Sequence, residues 1–236
     1  MRAPHFDRRR RVGSLHEAAL RVPPVRDNPR RAAGIAGASY PPPVFISASG
    51  VGYYGTADAT QKTESSPPGD DFLAHVCQEW EAEARRIKNS ATRVVTIRSG
   101  VVLERGGGAL AKMVTAFRFF AGGRMGSGRQ FMSWIHRIDW IEMVRWIVET
   151  RGVTGPVNVT APAPVTNREF ARALGRAMRR PALLPAPSFA LKLMLGEMAD
   201  PLVLTGQRAI PQCALSHGFH FRYPEIDQAF RGIFGE

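Results

Sequence analysis

The feature that most limits what this chain can fold into is a break at Pro41-Pro42-Pro43. Before it, apolar residues follow neither the period of a helix nor that of a strand; after it, periodic segments succeed one another almost to the C-terminus. The first of these, Val44-Phe45-Ile46-Ser47-Ala48-Ser49, is a short apolar run that ends in a turn rich in small and aromatic residues, Gly50-Val51-Gly52-Tyr53-Tyr54-Gly55. Such a run, bounded by glycines, reads as a strand buried on both faces, as parallel sheets require.

The segments that follow alternate. Asp70 or Asp71 is placed to cap a helix over 72–88, whose Phe72, Val76, Trp80 and Ala84 share one face. A second strand spans 93–98, with Ser99-Gly100-Val101-Val102 at its carboxyl end, and Gly106-Gly107-Gly108 leads into a helix over 109–120. An extended segment at 131–136, a helix over 139–150, a strand at 156–160 and a helix over 168–178, capped by Thr166 or Asn167, complete the alternation. Strand and helix in regular succession imply right-handed crossovers and a parallel sheet. From Pro181 the texture changes to proline-bounded apolar helix signals at 188–198 and 202–210, and a last helix over 226–234. The fold class is therefore α/β, a parallel sheet with a smaller, mostly helical C-terminal lobe. Residues 1–40 stand as an Arg/Pro-rich segment, 41–179 as the sheet domain and 180–236 as the lobe.

Composition excludes several classes. Hydrophobic residues at 44% and charged residues at 22% suit a folded chain rather than a wholly disordered one. The net charge of +12 points at first to an anionic partner, but nine arginines and only three acids within residues 1–38 supply half of it. That arm has no aromatic interleaving and no nucleic-acid module, so nucleic acid is an unlikely partner. Cys77 and Cys213, far apart in the sequence, form neither a disulfide framework nor a metal site, which suits a reducing compartment such as the cytoplasm. No apolar run is long enough to span a membrane. The N-terminus lacks the apolar core of a secretory signal; it is Arg-rich like an organelle transit peptide, but prolines interrupt any amphipathic helix.

Few motifs carry chemistry. Gly34-Ile35-Ala36-Gly37-Ala38-Ser39 follows no strand and is not a phosphate loop. Gly106-Gly107-Gly108 reads equally as an anion cradle or a flexible lead-in to a helix. Ser49 lies just past a strand end, where a hydroxyl can meet a substrate carbonyl or alcohol. His136 and Asp139 read either as an acid–base pair or, more plainly, as a histidine bonded near the sheet and an aspartate capping its helix. No HExxH, GxSxG or paired-carboxylate arrangement supports metal or serine-hydrolase chemistry.

Taken in order, Phe45 to Gly55, Pro67-Pro68-Gly69-Asp70-Asp71-Phe72 to Trp80-Glu81, Arg98-Ser99-Gly100-Val101-Val102-Leu103, and Gly126-Ser127-Gly128-Arg129-Gln130 with Trp134-Ile135-His136 resemble a known family. It is the atypical epimerase branch of the extended short-chain dehydrogenase/reductases. The tail, Arg180-Pro181 through Gly206-Gln207-Arg208 to Tyr223-Pro224, is similar to the C-terminal domain of unknown function that these proteins carry. The resemblance implies a Rossmann domain binding NADP or NAD and an oxidoreductase or epimerase acting on an unidentified small molecule. It implies catalytic roles for Ser49 and Tyr53, cofactor contacts from Ser47, Ser49, Ser99, Gly100 and Val102, and substrate contacts from Arg129 and His136.

Three departures from that family are informative. The glycine fingerprint and about two βαβ units of ~30 residues each are expected before Pro41, where this chain has the Arg/Pro-rich segment. We expect residues 1–39 to be an out-of-frame or mis-started translation of DNA encoding the usual nucleotide-binding half, and NADPH binding by the 236-residue chain to be weak or absent. Family members use a YxxxK helix, whereas the matching helix begins Phe72-Leu73-Ala74-His75-Val76-Cys77; His75, Tyr53 and Tyr54 are the candidate substitutes. Met132 occupies the position at which nucleotide-sugar enzymes place an arginine, with Arg129 nearby. A second reading is a non-catalytic interaction protein, since some relatives are linked to plastid or bacterial division. The oligomeric state is not legible.

Overall fold

The structure is a computed structural model and describes residues 34–35, 37–56, 59–87, 91–189, 193 and 204–235. The Arg/Pro-rich segment lies almost wholly outside the described residues, as does most of the helix expected at 188–198. In chain order the elements are β1 (Val44–Gly50), a 3-10 turn (Val51–Tyr54), β2 (Gln61–Lys62), α1 (Phe72–Arg85), β3 (Arg93–Ser99), β4 (Val101–Leu103) and α2 (Gly108–Arg118). There follow β5 (Phe131–Met132), β6 (Trp134–His136), α3 (Arg137–Glu149), β7 (Gly155–Val159), β8 (Val165–Thr166), α4 (Asn167–Met178), β9 (Arg208–Ala209), α5 (Gln212–Ser216) and α6 (Ile226–Phe234).

The central sheet is parallel, in the order β1-β3-β7. Its middle strand, β3, carries Val94, Val95, Thr96 and Ile97, a β-branched run suited to burial on a pleated surface. The β1–α1–β3 crossover is fixed at its start by Asp71. One carboxylate oxygen of Asp71 accepts from the Ala74 N–H at 2.9 Å as the N-cap, and the other accepts from the Thr56 N–H at 2.7 Å. The turn after β1 is thereby tied to the helix.

At Gly100 the chain leaves the central sheet, and β4 pairs instead with β6 in a parallel two-stranded sheet. A Cβ at Gly100 would lie 2.5 Å from the Ser133 carbonyl oxygen, so a side chain there would block the close approach that lets the chain cross. The residues on either side make the junction: the Gly100 N–H donates to Val159 and the Val101 N–H to Ser133. Two apolar cores result. One joins β3 and β7 to α3 and α5 through Val95, Ile97, Met143, Ile147, Val157 and Ala214. The other packs Trp134, Leu103 and Leu110 against α4 and α6, where Phe170 meets Phe230 edge to face at 5.1 Å.

Two local expectations are corrected. Asp139 does not cap α3. The helix begins at Arg137, and the side chain of His136 accepts from the Ile138 N–H at 3.1 Å as its N-cap. Asp139, almost fully buried, instead accepts from the backbone N–H groups of Arg222 and Tyr223 at 2.8 and 2.9 Å, pinning the C-terminal segment to the sheet domain. The helix expected over 202–210 is also not formed across its described part: Arg208–Ala209 is β9, parallel to β2. The Ser133 hydroxyl donates to Gln207 O and accepts from Ala209 N–H, which holds that backbone extended. The last helix matches its expected span, and Thr166 caps α4 in a reciprocal capping box with Glu169. Gly107 is the N-cap of α2, so the glycine triplet serves as the start of a helix.

Because Asp139 satisfies two backbone donors with one buried carboxylate, Asp139→Ala should lower unfolding stability by about 3 kcal/mol. Urea denaturation of the two proteins measures this, and a loss below about 1 kcal/mol would show that the C-terminal segment is held by apolar packing alone.

Candidate active site

The carboxyl end of the central sheet brings together side chains that lie far apart in the sequence. The register sets Ser49 of β1 beside Arg98 of β3, and Arg98 beside Asn158 of β7. Neighbours on one rung of a sheet share a face, so all three point to the side that α1 covers. From α1, Glu81 reaches down with no solvent exposure. Its Oε1 accepts from the Ser49 hydroxyl at 3.0 Å and from Arg98 Nε at 2.8 Å, and its Oε2 accepts from Arg98 Nη2 at 2.9 Å. The pair is bidentate and buried.

The network extends outward from Arg98. Its Nη1 donates to the Tyr54 hydroxyl at 3.0 Å, and that hydroxyl donates to Asn158 Oδ1 at 2.7 Å. Asn158 Nδ2 donates to Ile210 O, while the backbone N–H groups of Asn158 and Cys213 both donate to Glu64 Oε1. The Arg98 guanidinium also lies 3.4 Å from the centroid of the Tyr53 ring. Burial pushes the Tyr54 phenol up to about 12, against the opposing pull of Arg98 and Asn158. For Arg98, burial acts to lower the pKa, but its hydrogen bonds to Glu81 and the proximity of Tyr54 outweigh it and the net direction is up. Burial raises the Cys77 thiol, and the hydrogen-bonding groups of Gly50 and Ser49 beside it only partly oppose the shift.

Ser49 and Tyr53 thus converge on Arg98. Tyr53 is half-buried, held edge-on to Tyr54 at 5.5 Å, and its hydroxyl has no hydrogen-bond partner among the described residues. Ser47 lies buried on the same strand and face as Ser49. Ser99 lies on the opposite face, where its hydroxyl accepts from Trp140 Nε1 of α3 at 3.1 Å. Gly100 forms the junction between the two sheets, and Val102 sits in β4 opposite Ile135. His136 is buried, stacked on Tyr223 at 4.0 Å, and burial lowers its pKa against the pull of Asp139. Arg129 is exposed in the turn after Gly128, its backbone N–H donating to the Ser127 hydroxyl.

Glu81, Arg98, Asn158 and Glu64 were not singled out by the sequence reading, although two of them left a signal; Tyr54 entered it only as a candidate substitute for the tyrosine of the YxxxK helix. Arg98 ends a β-branched run, and Glu81 falls in phase with Ala74, Cys77 and Ala84 on the buried face of α1. A charge at a core phase marks a buried pair. The face of α1 turned to the strand end therefore presents Cys77 and Glu81, not a tyrosine and lysine.

With this geometry in place the comparisons are decisive. The chain is 46% identical over 192 residues to the chloroplastic SDR39U1 homologue of Arabidopsis thaliana, an epimerase family protein, and 40% identical over 203 residues to human SDR39U1. The chain belongs to the SDR39U1 epimerase family. It is thereby a member of the epimerase branch of the short-chain dehydrogenase/reductases, and residues 186–233 match the domain of unknown function DUF1731. The crystal structure of human SDR39U1 isoform 2 with NADPH superposes with a TM-score of 0.88 at 37% identity, covering 93% of this chain and 74% of that one. The alignments cover 81% and 86% of this chain but 55% of the Arabidopsis protein and 69% of the human one. Among the described residues no helix is long and apolar enough to cross a membrane.

Two predictions follow from the buried network. Removing one partner of a buried pair leaves the other charge uncompensated, so Glu81→Gln and Arg98→Met should each cost about 3–5 kcal/mol in unfolding free energy, and the double variant less than their sum. A double-mutant cycle by urea denaturation that proved additive would exclude the coupling. Tyr54 titrates above its ordinary value of 10, so its stabilising contribution is complete below pH 10 and is lost as the pH rises to about 12. Ultraviolet titration at alkaline pH should show one phenol ionising late, and Tyr54→Phe should abolish that phase.

Proposed function

We propose that this chain forms part of an NADP-type oxidoreductase or epimerase-like protein whose substrate meets Ser49 and Tyr53. The observation that carries the reading is the convergence of these two hydroxyl-bearing residues on the Glu81–Arg98 pair, Ser49 through Glu81 and Tyr53 through Arg98, at the carboxyl end of a parallel sheet, the position at which such sheets bind ligands. Membership of the SDR39U1 family, with a human relative solved with NADPH, supports it.

The residues at this end fit the nicotinamide part of such a cofactor. On the α3 side the Ser99 hydroxyl accepts from Trp140 and has its own proton to donate, with Gly100 and Val102 the further residues proposed there, while Ser47, buried with Ser49 on the α1 side, is proposed to hold that part from the opposite face. When bound, a nicotinamide supplies hydride transfer. The chain's own groups would do the rest. The Ser49 hydroxyl donates to Glu81, which leaves its lone pairs to accept from a substrate alcohol. Tyr53, its ring held under Arg98 and its hydroxyl uncommitted among the described residues, is the proposed proton donor or acceptor. Cys77, kept protonated by burial, serves as packing beside Ser49. Arg129 and His136 are the proposed further substrate contacts, and the substrate is a small molecule carrying an alcohol or carbonyl.

The pyrophosphate of a dinucleotide normally rests on a glycine-rich turn that follows a strand and opens an α-helix; Gly50-Val51-Gly52-Tyr53-Tyr54-Gly55 has that glycine spacing after β1 but opens only a 3-10 turn whose Tyr53 and Tyr54 rings lie against Arg98, and Gly106-Gly107-Gly108 opens α2 without that spacing. Nicotinamide fluorescence titration of the 236-residue chain should therefore give NADPH binding weaker than the low micromolar range. Fusing strand–glycine loop–helix units ahead of Pro41 should bring binding into that range. In the fused protein, a panel of carbonyls and alcohols should reveal turnover that Tyr53→Phe lowers by about 100-fold or more. Cofactor binding with no turnover across the panel would favour a non-catalytic interaction role, and tight binding by the unfused chain would overturn the cofactor reading.

A further inference from the structure

The geometry points to a second ligand site, for an organic di- or triphosphate, at the C-terminal end of α4. It shares no residue with the candidate active site and does not rest on the nicotinamide reading. Arg172, Arg176 and Arg179 lie along the exposed side of α4 and its cap, and with Arg180, Gly175 and Leu183 they line an open cavity of about 490 Å³. That volume falls within the range of small-molecule sites.

Charge balance favours an anion strongly. Arg176 is held by Asp227, whose two oxygens accept from its Nη2 at 2.7 and 2.9 Å. The carboxylate of Glu169 belongs to the capping box at the start of the helix and also lies in the field of Arg172, one turn along α4. With Arg172 partly balanced by Glu169, Arg179 and Arg180 leave about two unmatched positive charges around the cavity, against roughly half a negative charge from the end of the α4 dipole. Even that end is partly satisfied, because the Arg179 N–H donates to Arg176 O and the Arg180 N–H to Gly175 O. A second copy of this chain would bring the same charges face to face, so self-association here is disfavoured.

Backbone strain marks the same place. Phe120 and Arg179 are the two non-glycine residues with left-handed backbone among the described residues, at φ values of 57° and 53°. Helix ends of this kind usually carry glycine, so an arginine at φ 53° keeps a charge there at a conformational cost. Phe120 belongs to the same surface: the Arg180 guanidinium lies 4.7 Å from its ring centroid, and the Leu184 N–H donates to Gly122 O alongside. Phe120 is 54% exposed and Leu183 79%. Guanidinium groups for phosphoryl oxygens, next to an exposed ring and an exposed leucine for an organic body, make the combination that a nucleoside polyphosphate fits.

Isothermal titration of the 236-residue chain at fixed ionic strength, with ATP, inorganic pyrophosphate and AMP as probes, tests the site. Saturable one-to-one binding is expected, tightest for ATP and weakest for AMP. Arg172→Ala and Arg179→Gly should each weaken ATP about fivefold or more, and together about 30-fold, while Arg145→Ala on α3 leaves it unchanged. Arg179→Gly also relieves the left-handed strain, so it should melt no lower than the parent and its loss of affinity cannot be attributed to unfolding. Absence of saturable ATP binding overturns the site, as does ATP binding indifferent to both substitutions. Binding confined to vesicles containing phosphatidylglycerol and not displaced by ATP would also overturn it, because the face would then take a charged surface and not a discrete phosphate ester.

Discussion

Glu81 and Arg98 are both removed from water, and each alone would be a costly charge in the interior; together, with the bidentate geometry they adopt, the attraction offsets most of their desolvation. Buried pairs of this kind add little net stability over apolar residues of the same size. What they impose is geometry. Glu81 has two oxygens, and four donors compete for them: the Ser49 hydroxyl of β1, Arg98 Nε and Nη2 of β3, and, at 3.4 Å, Arg85 Nη1 one turn along α1. The phase of α1 against β1 and β3 is therefore set by hydrogen-bond vectors as well as by apolar packing. Through Tyr54, Asn158 and Glu64 the same network reaches β7 and the backbone at Ile210 and Cys213. The carboxyl end of the sheet is consequently a rigid platform, and the one phenol on it whose hydroxyl is uncommitted among the described residues, Tyr53, stands on a ring that Arg98 holds in place.

The same economy appears where the C-terminal segment joins. His136 takes the capping role that helix α3 needs, which frees the Asp139 carboxylate to bind the backbone of Arg222 and Tyr223, and Tyr223 in turn stacks on His136. One exchange of roles between residues three apart thus couples a helix start to the docking of the last segment. Burial lowers the His136 pKa, which favours the neutral ring whose Nδ1 accepts from the Ile138 N–H.

The longer strands and the helices of residues 44–178 were legible because their signals are local: β-branched runs, helical apolar phase, Asp71 and Thr166 as caps. The final helix was legible for the same reason, with Ile226, Ala229 and Phe230 on one buried face. The two-residue strands β2 and β8 were not, because so short a segment carries no period of its own. β9 was not, because nothing in its own sequence makes it a strand; its extended form is held by the Ser133 hydroxyl from a segment far away in the chain. The candidate site was legible in part. Ser49 and Tyr53 follow a strand end, which sequence can mark, but their meeting at Arg98 depends on a parallel register that pairs Ser49 with Arg98 and on a helix phase that delivers Glu81. Ser99 shows the limit in the other direction. It too follows a strand end, yet alternation along the strand puts it on the α3 side, across the sheet from Ser49.

The basic surplus takes on a different meaning once individual arginines are located. Arg98 is interior, and Arg93 donates to the carbonyls of Ile147, Val148 and Val153 at 2.6 to 2.8 Å, closing the C-terminal end of α3 with a guanidinium where a capping glycine is common. Arg145 is matched by Glu149 one turn along the same helix. These arginines work as hydrogen-bonding struts, a role the planar five-donor guanidinium fills and a lysine does not. Net charge is therefore a poor map of where an anion would bind on this molecule. Only where guanidinium groups outnumber the carboxylates within reach does charge become available to a ligand, and the end of α4, with Arg179 and Arg180 beside the pair Arg176–Asp227 and with Arg172 opposite Glu169, meets that condition.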